Sequence, residues 1–319
     1  MYRYFGTNKD DLLDDRGVSY RSFTSKLKPR YLLLWIQLLT GHFSLFVIAY
    51  SLIRIRMTHP NYLAPAMLIS IVLFGYDLAY ILLFFHEAAH FNIAPNRKAN
   101  DVCANVFIGS LFGQDIREYR IIHWDHHRYH GLPNDSEHTY FDPLDMKFLF
   151  ESLIGLRAFR VLADRKNRLQ KKKSGDKKRY RNSPVLIAGV ALNLGVLLFS
   201  LLNNYWYLAV CWSIAMVGTF PFFVAVRQLL EHRDEFATKG TDYFKVAHGA
   251  INRLFGTGPL ASTLGGAGFN RHLLHHFAPQ IPSTRLKEFE EYLMNTAFAD
   301  YIKPRQTTYI RTFRKLVQY

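Results

Sequence analysis

The sequence predicts an all-α integral membrane protein with four transmembrane helices in two hairpins and a cytosolic helical cap that carries a histidine-rich metal site. The first observation is composition: 49% of the 319 residues are hydrophobic. The mean hydropathy is nevertheless only -0.05, so the apolar residues are concentrated in blocks. The second observation is that four blocks are long enough to cross about 30 Å of hydrocarbon. The third is a set of histidines at metal-ligand spacing.

The apolar blocks occur in two pairs along the chain. Short turns separate the members of each pair, at Arg54–Pro60 and at Asn203–Asn204, which predicts two hairpins. The polar segment Met1–Lys28 lacks the features of a secretory signal and is predicted to be a cytosolic arm. We expect one domain over 1–319. The predicted transmembrane helices are 31–53, 62–85, 184–202 and 205–226, and the predicted cap is formed by 86–183 and 227–319.

The distribution of basic residues predicts the orientation in the membrane. The net charge is +15, and the densest basic run is Arg165–Arg181. As a solvated cytosolic loop, this run places both termini and the metal site on the cytosolic side. It is alternatively a docking patch for an acidic partner or anionic lipid. Nucleic-acid binding is not expected, because the basic residues flank apolar runs and do not alternate with stacking aromatic residues.

Two shorter segments and the cysteines complete the outline. The apolar piece Val102–Phe112 is too short for a full crossing and suits an interfacial or re-entrant segment. Residues Met146–Ala163 have a helical pattern of apolar and charged residues that is typical of a helix on the membrane surface. Cys103 and Cys211 provide neither a disulfide framework nor a ligand set for an iron–sulfur cluster.

Three histidine-rich segments predict the metal site. Residues four apart, or at i, i+3 and i+4, project from one face of a helix, so each segment directs its imidazoles to one point. A tetrahedral zinc ion needs at most four ligands, whereas the eight imidazoles of these segments suit two metal ions with open positions. The predicted topology puts all three segments on one side of the membrane. Their histidines are His86 and His90; His123, His126 and His127; and His272, His275 and His276.

The remaining histidines and nearby carboxylates receive other roles. His130 and His138 flank the middle segment without extending its spacing, and we expect solvent-facing or hydrogen-bonded roles for them. His42 is expected to be a satisfied polar group within the first apolar block. No partner is evident for His59 or His248. Candidates for orienting metal-bound histidines through hydrogen bonds, with surface ion pairs as the alternative, are Glu87, Asp125, Glu231 and Asp142.

Taken together, these motifs resemble the membrane fatty-acid desaturase superfamily, which includes acyl desaturases, related hydroxylases and carotenoid ketolases. The resemblance extends over about 85–286. Its carriers are His86-Glu-Ala-Ala-His90, Tyr119-Arg-Ile-Ile-His-Trp-Asp-His-His127, Arg227-Gln-Leu-Leu-Glu-His232, and Asn270-Arg-His-Leu-Leu-His-His276 with Pro279-Gln-Ile-Pro282 and Arg285-Leu286. It implies a four-helix membrane stem, a cytosolic cap, and two iron ions held almost wholly by histidine. His232 is then the ninth histidine ligand, and Gln228 is a candidate to hold an iron ion through water.

The resemblance also implies an activity. The expected reaction is O₂-dependent formation of a C=C bond in an acyl chain carried by a lipid, an acyl carrier protein or coenzyme A. The sequence has no His-Pro-Gly-Gly haem motif of a fused cytochrome, so electrons are expected from an external donor of the ferredoxin or cytochrome b5 type. Many acyl-lipid desaturases have a glutamate inside the third histidine motif, where this chain has Leu273 and Leu274. The chain also departs from them in its glycine-rich segment Gly256–Gly268.

Several alternatives remain open on the sequence alone. A hydroxylase, ketolase, acetylenase or decarboxylating alkene-forming enzyme would use the same two iron ions. His86-Glu87-Ala88-Ala89-His90 also matches the zinc protease pattern, but a protease would have no use for the other two histidine segments. A non-catalytic receptor or scaffold that stores metal is a further alternative, and O₂-dependent substrate turnover would distinguish it from an enzyme.

Overall fold

The computed structural model describes residues 9–173, 184–249 and 251–318, which form helices joined by loops and contain no β-strand. Both α4 and α10 continue through a wider helical turn, at Asn105–Gly109 and Ala215–Thr219, into the next helix. The helices are α1 Tyr20–Thr24, α2 Tyr31–Thr58, α3 Leu63–Ala89, α4 Arg97–Ala104, α5 Ser110–Phe112, α6 Ile116–Tyr129, α7 Met146–Leu153, α8 Leu156–Lys173, α9 Pro184–Leu202, α10 Trp206–Ile214, α11 Phe220–His232, α12 Pro259–Thr263, α13 His272–Phe277, α14 Leu286–Met294, α15 Ala299–Ile302 and α16 Tyr309–Gln318.

The prediction of four membrane-spanning helices is confirmed. Helices of sufficient length and apolar character cover Tyr31–Thr58, Pro60–Ala89, Pro184–Leu202 and Trp206–His232. Helix α2 continues to Thr58, past the predicted end at residue 53, because Arg54 and Arg56 are compatible with a helical backbone and long basic side chains can extend from a helix end towards water. The second and fourth spans continue into His86 and His232, so metal-ligand candidates are part of membrane-spanning helices.

The four helices divide into an inner and an outer pair. In the 18-residue apolar stretch of each span, the buried share is 56% for the span Pro60–Ala89 and 50% for Trp206–His232, against 22% for Tyr31–Thr58 and 11% for Pro184–Leu202. The less buried pair of helices exposes apolar side chains, and such a surface is suited to contact with lipid. The inner helices α3 and α11 are also those that carry histidine-site candidates, so the best-buried helices hold the site.

A glycine allows the inner helices to approach each other closely. A Cβ atom at Gly75 on α3 would lie 2.0 Å from Oγ1 of Thr219 and 2.7 Å from the backbone nitrogen of Phe220. The Thr219 hydroxyl donates a hydrogen bond of 2.7 Å to the carbonyl oxygen of Ile71 and so joins the two helices. Small residues permit such contacts between helix backbones within membranes.

We expect Gly75→Ala to destabilise the protein by about 1–3 kcal/mol, because the added methyl group would force the inner helices apart. Thermal unfolding in detergent, followed by circular dichroism, would measure this. Gly195→Ala is the matched control, since a Cβ atom at Gly195 on α9 meets nothing within 4 Å. If the Gly75 variant melted at the same temperature as the Gly195 variant, the close helix contact would be contradicted.

The N-terminal arm packs against the segment of the third histidine motif. The ring of Tyr20 lies 6.2 Å from that of Phe277 and 6.0 Å from that of Phe289, measured between centroids. Leu273 and Leu274, where the sequence departs from many acyl-lipid desaturases, are buried in the same apolar cluster. The leucines therefore have a packing role, and the arm stabilises the segment that presents the third set of histidines.

The two shorter segments are helical but interrupted. The predicted interfacial segment Val102–Phe112 contains a wider turn at Asn105–Gly109 and packs against α9, where a Cβ atom at Gly189 would lie 2.5 Å from Cα of Gly113. The single helix predicted over Met146–Ala163 is broken, because Gly155 has a φ of +74°. A Cβ atom at Gly155 would lie 2.4 Å from the Val217 carbonyl oxygen, so this break lies directly against the fourth span.

Candidate metal centre

Helices position the three predicted histidine segments. His86 is in the last turns of α3 and His90 follows its end, where Phe91 turns the chain with a φ of +62°. The middle segment is within α6, whose first turn is capped by the Asp115 carboxylate accepting from the Arg117 backbone N–H at 2.8 Å. The third segment is α13. The predicted helical spacing of the ligand candidates is therefore found in all three segments.

The histidine nitrogens converge in two larger groups, and a third, smaller set of Glu231, His232 and His272 shares His232 with the second. Each group contains one ligand atom per residue, and these atoms lie within 4.8 Å of one another. The first group is His86, His90, His123, His127 and His275, and the second is His126, His130, His232 and His276.

His272 adjoins the second group. Its Nε2 atom lies 3.0 Å from Nε2 of His232 and 3.1 Å from Nε2 of His276. The predicted box histidines and His232 thus all lie in or beside one of two neighbouring groups. For His130, the sequence predicts a solvent-facing or hydrogen-bonded role. It is buried, with an exposed fraction of 1%, it faces the Asp135 carboxylate, and its ring lies within the second group.

The donor atoms fit metal ions better than they fit hydrogen bonds to one another. Nε2 of His123 lies 2.8 Å from Nε2 of His90 and 3.0 Å from Nε2 of His127. One ring nitrogen carries either a proton or a lone pair, so it cannot form good hydrogen bonds with both neighbours. Two nitrogens bound at right angles, each about 2.1 Å from one ion, would be separated by about 3.0 Å. Nε2 of His126 is buried without a hydrogen-bond partner.

Burial keeps several of these imidazoles in the form that binds metal. It lowers the pKa of His90, His127 and His275 well below 6.5, with further lowering by neighbouring histidines. Burial likewise lowers the pKa of His276 well below this value. A neutral imidazole offers a lone pair to a metal ion, whereas an imidazolium does not. Burial of these imidazoles therefore leaves them neutral and able to bind a metal ion.

Two carboxylates that the sequence analysis did not identify face the Nδ1 atoms of the histidines. Nδ1 of His126 lies 2.8 Å from Oδ1 of Asp135, and Nδ1 of His123 lies 3.7 Å from Oε1 of Glu137. Burial opposes ionisation of Asp135, but the facing His126 and His130 imidazoles outweigh it and hold the pKa of Asp135 far below its usual range. Such carboxylates orient metal-bound histidines and increase their basicity.

The predicted orienting carboxylates have different outcomes. Glu87 accepts a hydrogen bond of 3.0 Å from the Ser283 backbone N–H, and its Oε1 lies 3.7 Å from Nδ1 of His86. Glu231 lies 4.0 Å from Nε2 of His272, and Asp125 is buried on α6. Of the two roles left open for Asp142, the structure shows the ion pair, at 2.5 Å from Arg157.

The other histidines lie outside the two groups. Nε2 of His42 lies 2.7 Å from the Phe107 carbonyl oxygen, in agreement with a satisfied polar group. His138 lies 3.3 Å from Asp164, in agreement with a hydrogen-bonded role. His248, for which the sequence indicated no partner, is buried and stacks on Phe141 with a centroid distance of 5.9 Å.

Gln228 and Arg165, the first residue of the basic run, both contact the Glu137 carboxylate beside the site. The Gln228 amide nitrogen donates a hydrogen bond of 2.9 Å to Oε2 of Glu137, while Arg165 lies 3.6 Å from Oε1. A role for Gln228 in holding iron through water stays a prediction. Arg165 thus lies on α8 beside the site, while residues 174–181 of the basic run lie outside those that the structure describes.

A bundle of apolar, membrane-spanning helices that ends in two groups of buried histidines defines a membrane protein with a candidate metal site. The family model for fatty acid desaturases matches residues 60–309 of this chain. The protein therefore belongs to the fatty acid desaturase family. A comparison with curated proteins found no match.

Proposed function

We propose that the protein is an O₂-dependent di-iron fatty acyl desaturase that introduces a C=C bond into an acyl chain. The observation that carries this proposal is the convergence of two adjacent histidine groups at the ends of the inner helices, in a chain of the desaturase family. This family membership makes a desaturase-type oxidoreductase the class of the protein. The proposed iron ligands are His86, His90, His123, His126, His127, His232, His272, His275 and His276, with Gln228 as a candidate through water.

The balanced reaction defines what the site must accommodate. A –CH₂–CH₂– unit, O₂, two electrons and two protons give –CH=CH– and two molecules of water. Bound iron would supply the chemistry of O₂ reduction, for which nitrogen ligands with open positions are suited. The protein supplies apolar packing beside the histidines: the buried ring of Phe269 lies 4.5 Å from that of His86. Apolar side chains at this position exclude water from the first group.

The electron donor and the carrier of the acyl chain form the second part of the proposal. The donor is a separate protein of the ferredoxin or cytochrome b5 type, and the acyl chain is carried by a lipid, an acyl carrier protein or coenzyme A. The active site and both termini are proposed to face the cytosol, in agreement with the basic residues Arg165 and Arg168 of α8 beside the site. A zinc protease is disfavoured, because His86 and His90 share their group with histidines of two other segments.

An ¹⁸O₂ experiment tests this function. The iron-loaded protein in lipid nanodiscs is supplied with saturated acyl lipids, a reductase–ferredoxin pair and ¹⁸O₂, and the products are identified by mass spectrometry. We expect a lipid that has lost one H₂ and contains no ¹⁸O, formed only when O₂ and reductant are both present. A hydroxylated or keto product that contains ¹⁸O would instead identify a hydroxylase or ketolase of the same family.

A further inference from the structure

We propose that His130 is a direct ligand of the second metal ion, in addition to the histidines of the motifs. This inference rests on the proposed function and specifies its metal site. The ring centroid of His130 lies 4.4 Å from that of His232, 4.5 Å from that of His276 and 5.0 Å from that of His126. One ring nitrogen of His130 lies within 4.8 Å of a nitrogen from each of these histidines.

The spacing of His130 repeats a pattern found in the first group. Residues four apart project from the same helix face, and the first group uses the pairs His86/His90 and His123/His127 together with His275. With His130, the second group has one such pair, His126/His130 at the end of α6, together with His232 and His276. His272, which adjoins this group, forms a second pair with His276 on α13. Each metal position would then receive two helical pairs and one further histidine.

The Asp135 carboxylate faces both His126 on α6 and His130, the residue that follows this helix. Its Oδ1 atom lies 2.8 Å from Nδ1 of His126, and its Oδ2 atom lies 3.7 Å from Nδ1 of His130. Metal-bound histidines commonly place one ring nitrogen against a carboxylate while the other binds the ion. This arrangement assigns Nδ1 of both rings to Asp135 and Nε2 of both rings to the metal.

A short chain of hydrogen bonds holds the backbone next to His130. The Gly131 backbone N–H donates to the Tyr140 hydroxyl at 2.7 Å, and this hydroxyl donates to Oδ2 of Asp135 at 2.6 Å. Gly131 has a φ of +75°, a conformation that favours glycine. The chain leaves α6 at His130 but is tied back to the same carboxylate, which keeps the imidazole in the second group.

The position of Gln228 agrees with this assignment. Its amide nitrogen donates to Glu137, and Glu137 lies beside His123 of the first group. Gln228 therefore stabilises a carboxylate that faces the first group. His130 contributes a ring nitrogen to the second group.

Metal retention tests this ligand independently of activity. Wild-type protein and the His130→Ala variant are loaded with iron, challenged with a chelator, and measured for metal content and for the number of imidazole nitrogens per iron by X-ray absorption. We expect the variant to lose one of about two ions at least about tenfold faster than the wild type. His138→Ala is the control, because His138 lies outside both groups and contacts Asp164.

Two further measurements separate the possible failures. His130→Asn keeps a polar group near Asp135 but lacks the distal ring nitrogen, so it should lose metal like the alanine variant while remaining folded by circular dichroism. Retention of both ions and of the wild-type X-ray absorption spectrum by a folded His130→Asn protein would overturn the assignment of His130 alone. A wild-type protein that binds no iron would overturn the di-iron function itself.

Discussion

Replacing His123 with alanine is expected to remove metal from the first group and to lower O₂-dependent turnover more than about 100-fold. His123 occupies the centre of this group, since its Nε2 atom lies 2.8 Å from Nε2 of His90 and 3.0 Å from Nε2 of His127. Its removal deletes a donor and leaves Glu137 without the imidazole that it faces. Elemental analysis of the purified variant and the lipid-product assay measure the two effects separately.

His59→Ala is the matched control for this prediction. His59 is exposed in the turn between α2 and α3, at the opposite end of α3 from His86. Its ring contacts that of Tyr62. This variant should retain wild-type iron content and turnover. A His123→Ala protein that kept about two iron ions per chain would contradict the ligand assignment.

The spans and the three histidine segments were predictable because each depends on local periodicity. An apolar run sets the length of a membrane helix, and i, i+4 spacing sets the face on which two histidines project. The same reasoning had access to His130, which is four residues after His126. The sequence analysis did not assign it as a ligand because it does not extend the His-x-x-His-His spacing of the middle segment, and it immediately follows the last residue of α6.

The carboxylates could not be assigned in the same way. Asp135 and Glu137 lie in a loop, where no periodicity relates a residue to the helix that precedes it. Their contacts with His126 and His123 depend on how the loop folds back over α6, which tertiary hydrogen bonds determine. Asp142 was an equally plausible candidate by sequence, yet Arg157 from the following helix pairs with it.

The limits of the helices illustrate a related difficulty. The wider turn at Ala215–Thr219 occurs where Thr219 bonds to the Ile71 carbonyl oxygen on the neighbouring helix, so its cause is a tertiary contact. Similarly, the break at Gly155 coincides with close approach to the Val217 carbonyl oxygen. Local sequence patterns therefore do not predict these interruptions, because they depend on contacts with residues distant in the sequence.

Replacing Asp135 with asparagine is expected to weaken binding at the second metal position by about 10–100-fold. The Asp135 side chain is fully buried, accepts from the Tyr140 hydroxyl at 2.6 Å and contacts His126 at 2.8 Å. Asparagine preserves the shape of the side chain but removes the negative charge that makes the His126 imidazole more basic. Titration of the metal-free protein with Fe²⁺ under anaerobic conditions would give the affinity of each position.

Asp142→Asn separates this effect from the general loss of a carboxylate near the site. Asp142 pairs with Arg157 and its side chain is 47% exposed, so its replacement removes one partly solvated ion pair. We expect this variant to bind both iron ions as the wild type does. Equal losses of affinity in the Asp135 and Asp142 variants would indicate a nonspecific contribution of negative charge. A loss confined to Asp135→Asn would instead assign the carboxylate to the histidines of the second group, because only this change removes the partner of His126 Nδ1.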